Sequence, residues 1–167
     1  MKADLQFEFL VDADSSTITV RREFAARRQL VWDCYTKSDL LDQWFAPPPL
    51  ATRTKAMAFR AGGAWHYVMT APDGEEFWGL TQYLTVDPID GYTAVDGFAD
   101  ASGAMNTALP IAGWDVSFLD AGDRTVVRTV VSYESAEDIE KVIAMGMEEG
   151  VATTLERLDA LLATMGN

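Results

Sequence analysis

Apolar and polar residues tend to alternate over residues 5–11 and again over 17–24, the period of strands with one buried face. Asp14-Ser15-Ser16 between them supplies turn residues, so the pattern predicts an opening hairpin. The period then changes. Leu30, Val31, Cys34 and Tyr35 recur at helical spacing, and Ser38 ahead of Asp39-Leu40-Leu41-Asp42-Gln43-Trp44-Phe45 reads as the cap of a second short helix. Pro47-Pro48-Pro49 ends it, because proline lacks the amide donor and disfavours helix in the residue before it.

Strand-like segments follow at 52–59, 64–71, 76–86, 92–98, 113–119 and 125–133. Gly62-Gly63, Pro72-Asp73-Gly74, Asp87-Pro88, Asp90-Gly91, Ser102-Gly103 and Asp120-Ala121-Gly122-Asp123 punctuate them. Turns at this spacing predict an antiparallel meander. The last segment differs in kind. Ser135 followed by Asp138 resembles a capping box, and Ile139, Ile143, Met147, Val151, Leu155, Leu158 and Leu162 recur every three or four residues. The spacing predicts one long helix over about 135–164, with a continuous apolar stripe for the sheet to cover. Gly146 and Gly150 sit beside that stripe; each costs about 1 kcal/mol against alanine in a helix, which implies a packing or space requirement. The acids Glu134, Glu137, Asp138 and Glu140 suit the exposed amides of a helix start.

At 167 residues, 49% of them hydrophobic, the chain suits one domain over residues 1–167 with a single core. A net charge of −13 with no cluster of Lys and Arg argues against nucleic acid as a partner. It argues equally against anionic lipid surfaces, and no apolar run is long enough for membrane insertion. The start, Met1 to Glu8, lacks the apolar core of a secretion signal, and the single Cys34 cannot form an intrachain disulfide. Both favour a cytoplasmic setting. Cys34 falls within a helical pattern and reads as a buried structural thiol. With one histidine and one cysteine, no metal site of the usual kind and no cofactor are expected.

Several words in a fixed order carry more than composition does. Arg22-Glu23-Phe24-Ala25-Ala26 leads into Leu30-Val31-Trp32-Asp33, then Leu41-Asp42-Gln43-Trp44-Phe45-Ala46-Pro47. Gly62-Gly63-Ala64-Trp65, Val68-Met69, Pro72-Asp73-Gly74 and Ser135-Ala136-Glu137-Asp138 follow, then Met145-Gly146-Met147-Glu148-Glu149-Gly150 and Thr154-Leu155-Glu156-Arg157-Leu158. Nearly end to end, this order resembles the SRPBCC or START-like superfamily, and within it the family named for the activator of the heat-shock protein 90 ATPase. The resemblance implies an α+β helix-grip fold of the START/Bet v type. In it, a curved antiparallel sheet of six or seven strands grips the C-terminal helix, two short helices follow the first strand, and a cavity lies beneath. Ala26 stands where relatives usually have proline, and Phe45 where many have a second tryptophan, a change at the expected mouth.

The superfamily hosts ligand carriers and enzymes alike, so function must be argued from side chains. Alternation puts Trp65, Tyr67 and Met69 on one strand face, and Trp114, Val116 and Phe118 on another. Such residues fill a core or line a cleft, and the sequence leaves both open. As a cleft, the expected lining is Trp65, Tyr67, Met69, Trp78, Phe98, Trp114 and Phe118, with Trp44, Phe45 and Met57 at the entrance and Gly146, Met147 and Gly150 on the helix side. The leading expectation is a site for a small apolar or aromatic molecule.

Catalysis needs a paired acid and base, an activated nucleophile or a metal cluster, and no catalytic residue can be assigned. His66 alternates away from Trp65 and Tyr67. Glu75, Glu76, Asp96 and Asp100 read as solvated edge and loop acids, of which a buried one could act as a base. Gln82, Tyr83 and Arg128 are candidates for orienting polar groups. The alternatives are a cavity enzyme of cyclase or hydrolase type, and a co-chaperone-like stimulator of a heat-shock protein ATPase. Association into a homodimer through a sheet edge is left open.

Overall fold

A computed structural model describes residues 5–165; residues 1–4, part of the chain start considered above, and 166–167 lie outside the described residues. The first hairpin is β1 (Phe7–Asp12) and β2 (Thr17–Phe24), followed by helices α1 (Arg28–Thr36) and α2 (Ser38–Trp44). A meander then runs through β3 (Ala51–Met57), β4 (Ala64–Thr70), β5 (Glu76–Asp87), β6 (Gly91–Phe98), β7 (Ala112–Ala121) and β8 (Arg124–Ser132). The chain ends in α3 (Ala136–Ala144) and α4 (Met147–Thr164). All eight strands form one antiparallel sheet in the order β1-β2-β8-β7-β6-β5-β4-β3. Pairing of β2 with β8 joins the opening hairpin to the end of the meander.

The fold is the expected α+β helix grip, with eight strands rather than six or seven, and the two short helices follow the second strand. Strand alternation works as anticipated: Ile18, Val20, Arg22 and Phe24 on β2 are buried while their neighbours are not. Two local details differ. The cap of α2 is Lys37, with no side-chain cap bond, and Ser38 is already helical. Ser135 does cap α3, its side chain accepting the Asp138 amide at 3.3 Å.

The C-terminal segment is two helices, not one. Gly146 has φ +89°, a left-handed conformation that ends α3 and serves as the N-cap of α4. Apolar spacing runs unbroken across this joint because a one-residue break shifts the direction of the stripe without changing its count. Ile139 stays buried, but Ile143, expected in the stripe, is exposed.

Packing is dense at one end of the concave face. Trp32 on α1 meets Phe118, Phe59 and Tyr92 edge-on at 5.1, 5.6 and 6.3 Å, and Tyr35 meets Phe118 at 5.1 Å. Leu155, Leu158 and Leu162 of α4 join the same buried cluster. Two polar anchors fix the helices to the rest. Arg157 donates to the carbonyls of Ala46 and Leu50 at 2.7 Å each, and Asp42 accepts the Thr54 amide and hydroxyl at 2.8 and 2.6 Å.

Cys34 is fully buried in α1 with its Sγ 3.6 Å from the Met165 sulfur, and burial, aided by Asp33, pushes its thiol up to about 11. A disulfide reagent is therefore expected to leave the native protein unlabelled at mildly alkaline pH and to label it at once in urea. Fast labelling of the native protein would place the thiol at the surface.

Candidate functional site

The other end of the concave face is not filled. Between it and the α3–α4 pair lies a cavity of about 450 Å³, within the range of roughly 300–1,000 Å³ typical of small-molecule sites. The division falls within single strands. On β7, Phe118 belongs to the packed cluster, Val116 sits at the boundary, and Trp114 and Ala112 face the cavity. The mouth is marked by lining residues that are also exposed to solvent: Phe77 (42%), Phe98 (37%) and Met145 (66%). It therefore lies beside the joint between α3 and α4.

Of the residues expected to line a cleft, Trp44, Phe45, Tyr67, Met69, Phe98, Trp114, Gly146, Met147 and Gly150 do so. Others are placed elsewhere. Trp65 is buried behind the wall, stacked on Tyr67 at 4.1 Å, with its indole donating to the Thr54 hydroxyl at 3.0 Å. Phe118 is taken by Trp32 and Tyr35 of α1. Met57 sits at the end of β3 opposite Trp65 and packs on the core.

Trp78 borders the cavity between Phe77 and Gly79, but its side chain belongs to the convex face. Pairing of Tyr67 with Gly79 and of Val68 with Trp78 fixes that phase, and the ring packs on His66 at 5.0 Å. The expected entrance is also corrected, since Trp44 is 1% exposed and lies deep.

His66 does alternate away from the cavity, yet it is buried, its Nε2 donating to the Asp100 carbonyl at 2.9 Å. Gln82 and Arg128 are exposed on the convex face, whereas Tyr83 belongs to the aromatic core, 4.7 Å from Phe59. Glu75 and Glu76 are exposed.

An acidic and a cationic group lie on the lining: Asp96, for which a role as base was open if it were buried, and Arg22, for which the sequence suggested none. Asp96, read as a solvated acid, is on the cavity wall, and its Oδ1 accepts hydrogen bonds from Thr81 Oγ1 at 2.7 Å and the Tyr67 hydroxyl at 3.0 Å. Burial pushes its carboxyl up to about 7, against the pull of those two bonds. Gly79 makes the arrangement possible: a Cβ there would lie 2.4 Å from the Tyr67 ring, which crosses directly over that glycine to reach Asp96.

Arg22 is the second, 1% exposed and over the Phe24 ring at 4.8 Å. One of its nitrogens donates to the Glu23 carbonyl, while Nε and Nη2 have no hydrogen-bond partner among the described residues. Burial lowers its pKa, and Asp159 and Glu156 on α4 oppose that shift. A signal for both was present: each occupies the inward phase of its strand, Arg22 between Val20 and Phe24 and Asp96 between Ala94 and Phe98.

Among the described residues no three His, Cys, Asp or Glu side chains come together in a way that could hold a metal ion. No helix among them is long and apolar enough to cross a membrane. The arrangement is suited to enclosing an apolar body, with an acidic group, Asp96, and a cationic group, Arg22, at separate places on its wall.

Comparison with known proteins agrees with this architecture. The sequence profile described as Activator of Hsp90 ATPase homolog 1-like protein matches residues 25–163. A protein from Arthrobacter aurescens with a solution NMR structure is similar at 31% identity and a TM-score of 0.89, covering 96% of this chain and 93% of its own. The crystal structure of Ms6760 from Mycobacterium smegmatis is similar at 32% identity and 0.85, over 95% and 96%. CalU16 from Micromonospora echinospora, at 14% identity and 0.59 over 95% and 85%, shares the fold alone. Comparison with curated proteins finds no match.

Proposed function

The chain belongs to the family of Activator of Hsp90 ATPase homolog 1-like proteins, and from that premise we propose that it binds a small, largely apolar or aromatic molecule between its sheet and the α3–α4 pair. One observation carries the reading. The aromatic residues that could have closed the core are collected at the α1 end, leaving about 450 Å³ lined by Phe45, Tyr67, Met69, Trp114 and Met147 at the other. Aromatic faces and flexible thioethers together suit a ligand with an apolar surface. A cytoplasmic setting goes with the reading, supported by the single buried cysteine.

Trp114 is the side chain to remove, because it is only part-buried and its ring stands toward the cavity beside Phe45, 6.2 Å away. We expect native mass spectrometry and a thermal-shift screen to find apolar compounds that stabilise the protein, by about 2.7 kcal/mol at a hundred times the dissociation constant. Trp114→Ala is expected to weaken those compounds at least tenfold while the protein still folds cooperatively. Unfolding of Trp114→Ala with no stabilising compound for the parent protein would assign these side chains to the core alone.

A further inference from the structure

Among the described residues Asp96 has no basic partner. Both hydrogen bonds to its carboxyl fall on Oδ1, and among the described residues none falls on Oδ2. The ion pairs formed elsewhere leave it out: Arg28 with Asp90, Lys37 with Asp33 and Arg124 with Glu23. The titratable groups that feel its charge are phenols, Tyr67 on β4, Tyr83 on β5, Tyr92 on β6 and Tyr133 after β8, and each is shifted upward in part by it.

Arg22 is too far away to serve as a partner. Register carries it across Val127 to Phe118 on β7, whereas Asp96 pairs with Ala112, six residues along that strand. That is roughly 20 Å at 3.4 Å per residue. Asp96 is part-buried, one of its oxygens has no hydrogen-bond partner and no counter-charge lies beside it among the described residues, and it sits on the wall of a cavity that also presents ring faces. Phe45 is 5.8 Å from Tyr67 and 6.2 Å from Trp114. An acid among aromatic faces is the setting in which an organic cation is held, by an ion pair and by the rings together.

We propose that the ligand of this cavity carries a basic nitrogen, a protonated amine donating to Asp96 Oδ2, on an apolar body enclosed by Phe45, Tyr67 and Trp114. The proposal rests on the binding reading above and specifies the chemistry of the ligand. A neutral donor would satisfy the oxygen without the charge, and an anion placed beside Asp96 would be repelled.

The test uses one body with several head groups: 2-(1-naphthyl)ethylamine, the corresponding alcohol, its N-acetyl amide and 1-naphthylacetate, titrated calorimetrically into the full chain near neutral pH. The amine is expected to bind at least tenfold more tightly than the alcohol or amide, with the carboxylate weakest. Its binding should also release a fraction of a proton, read from the dependence of heat on buffer ionisation, because the ion pair draws Asp96 into its charged form. Asp96→Asn, which retains an acceptor for Tyr67 and Thr81, should bring the amine to within about threefold of the alcohol and abolish the proton release. The proton release in the parent protein tests the proposal even if that variant does not fold.

An alcohol that binds as well as the amine, or an amine preference that survives Asp96→Asn, overturns the nitrogen proposal and leaves the binding reading standing. Failure of all four compounds to bind overturns both.

Discussion

Trp44→Ala is expected to cost about 3–5 kcal/mol of folding stability, the range for removing a fully buried large aromatic side chain, out of a total of about 5–15 kcal/mol for a typical domain. Trp44 ends α2 at 1% exposure. Its indole donates to the Cys34 carbonyl of α1 at 2.9 Å, and its ring packs on Tyr35 at 4.9 Å and Phe45 at 5.4 Å. One residue thus ties α1 to α2 and backs Phe45, the ring that faces the cavity. Removing it opens a void and takes a hydrogen bond from a buried carbonyl. Urea unfolding should show a lower midpoint with the same dependence on denaturant. A cost under about 1 kcal/mol would mean that α2 is held by the Asp42 and Arg157 anchors alone.

The second large effect is a dependence on pH that runs against the usual carboxylate trend. In the folded protein the Asp96 carboxyl is pushed up to about 7, from an ordinary value of 3.8. Between those values the folded state keeps the proton and the unfolded state does not, so this group's contribution falls by about 1.4 kcal/mol for each unit that pH rises. Below the window both states are protonated and nothing is lost; above it the penalty is constant.

Asp96→Asn removes that titration. It is expected to be nearly neutral near pH 4 and increasingly stabilising up to pH 7, by at most about 4 kcal/mol, and by less where water in the cavity solvates the carboxylate. The difference in urea midpoint between the two proteins, followed across the window, isolates this one group because the remaining acids titrate in both. A difference that stays flat, or that grows as pH falls, would contradict a carboxyl whose charged form the fold disfavours.

Periodicity carried most of the architecture, because inward alternation on a strand and the three-to-four spacing of a helix both record which face is covered. It could not show what covers it. Trp114 and Phe118 have the same phase on β7, and only the position of α1 in three dimensions makes one a cavity wall and the other a packed ring. The Trp78 side chain needed the register of β5 against β4, a long-range fact with no local signature. The break at Gly146 was hinted at by a costly glycine, but a kinked pair of helices and a single helix share the same apolar spacing. Asp96 and Arg22 were legible in phase, but inward phase alone does not separate a cavity wall from a packed core or a solvated edge; charged residues on inward positions are uncommon, and at a cavity that exception carries the chemistry.

The most direct test is a titration of the protein, carbon-13 labelled at its methionine methyls, with 2-(1-naphthyl)ethanol. Met69, Met145 and Met147 line the cavity, while Met57 packs on the core and Met105 covers Gly97 on the opposite face of the sheet. Ligand bound between the sheet and the α3–α4 pair should shift the first three signals saturably and leave Met57 and Met105 in place. Shifts that never saturate, or that fall on Met57 or Met105 and spare the other three, would contradict a binding cavity at this site.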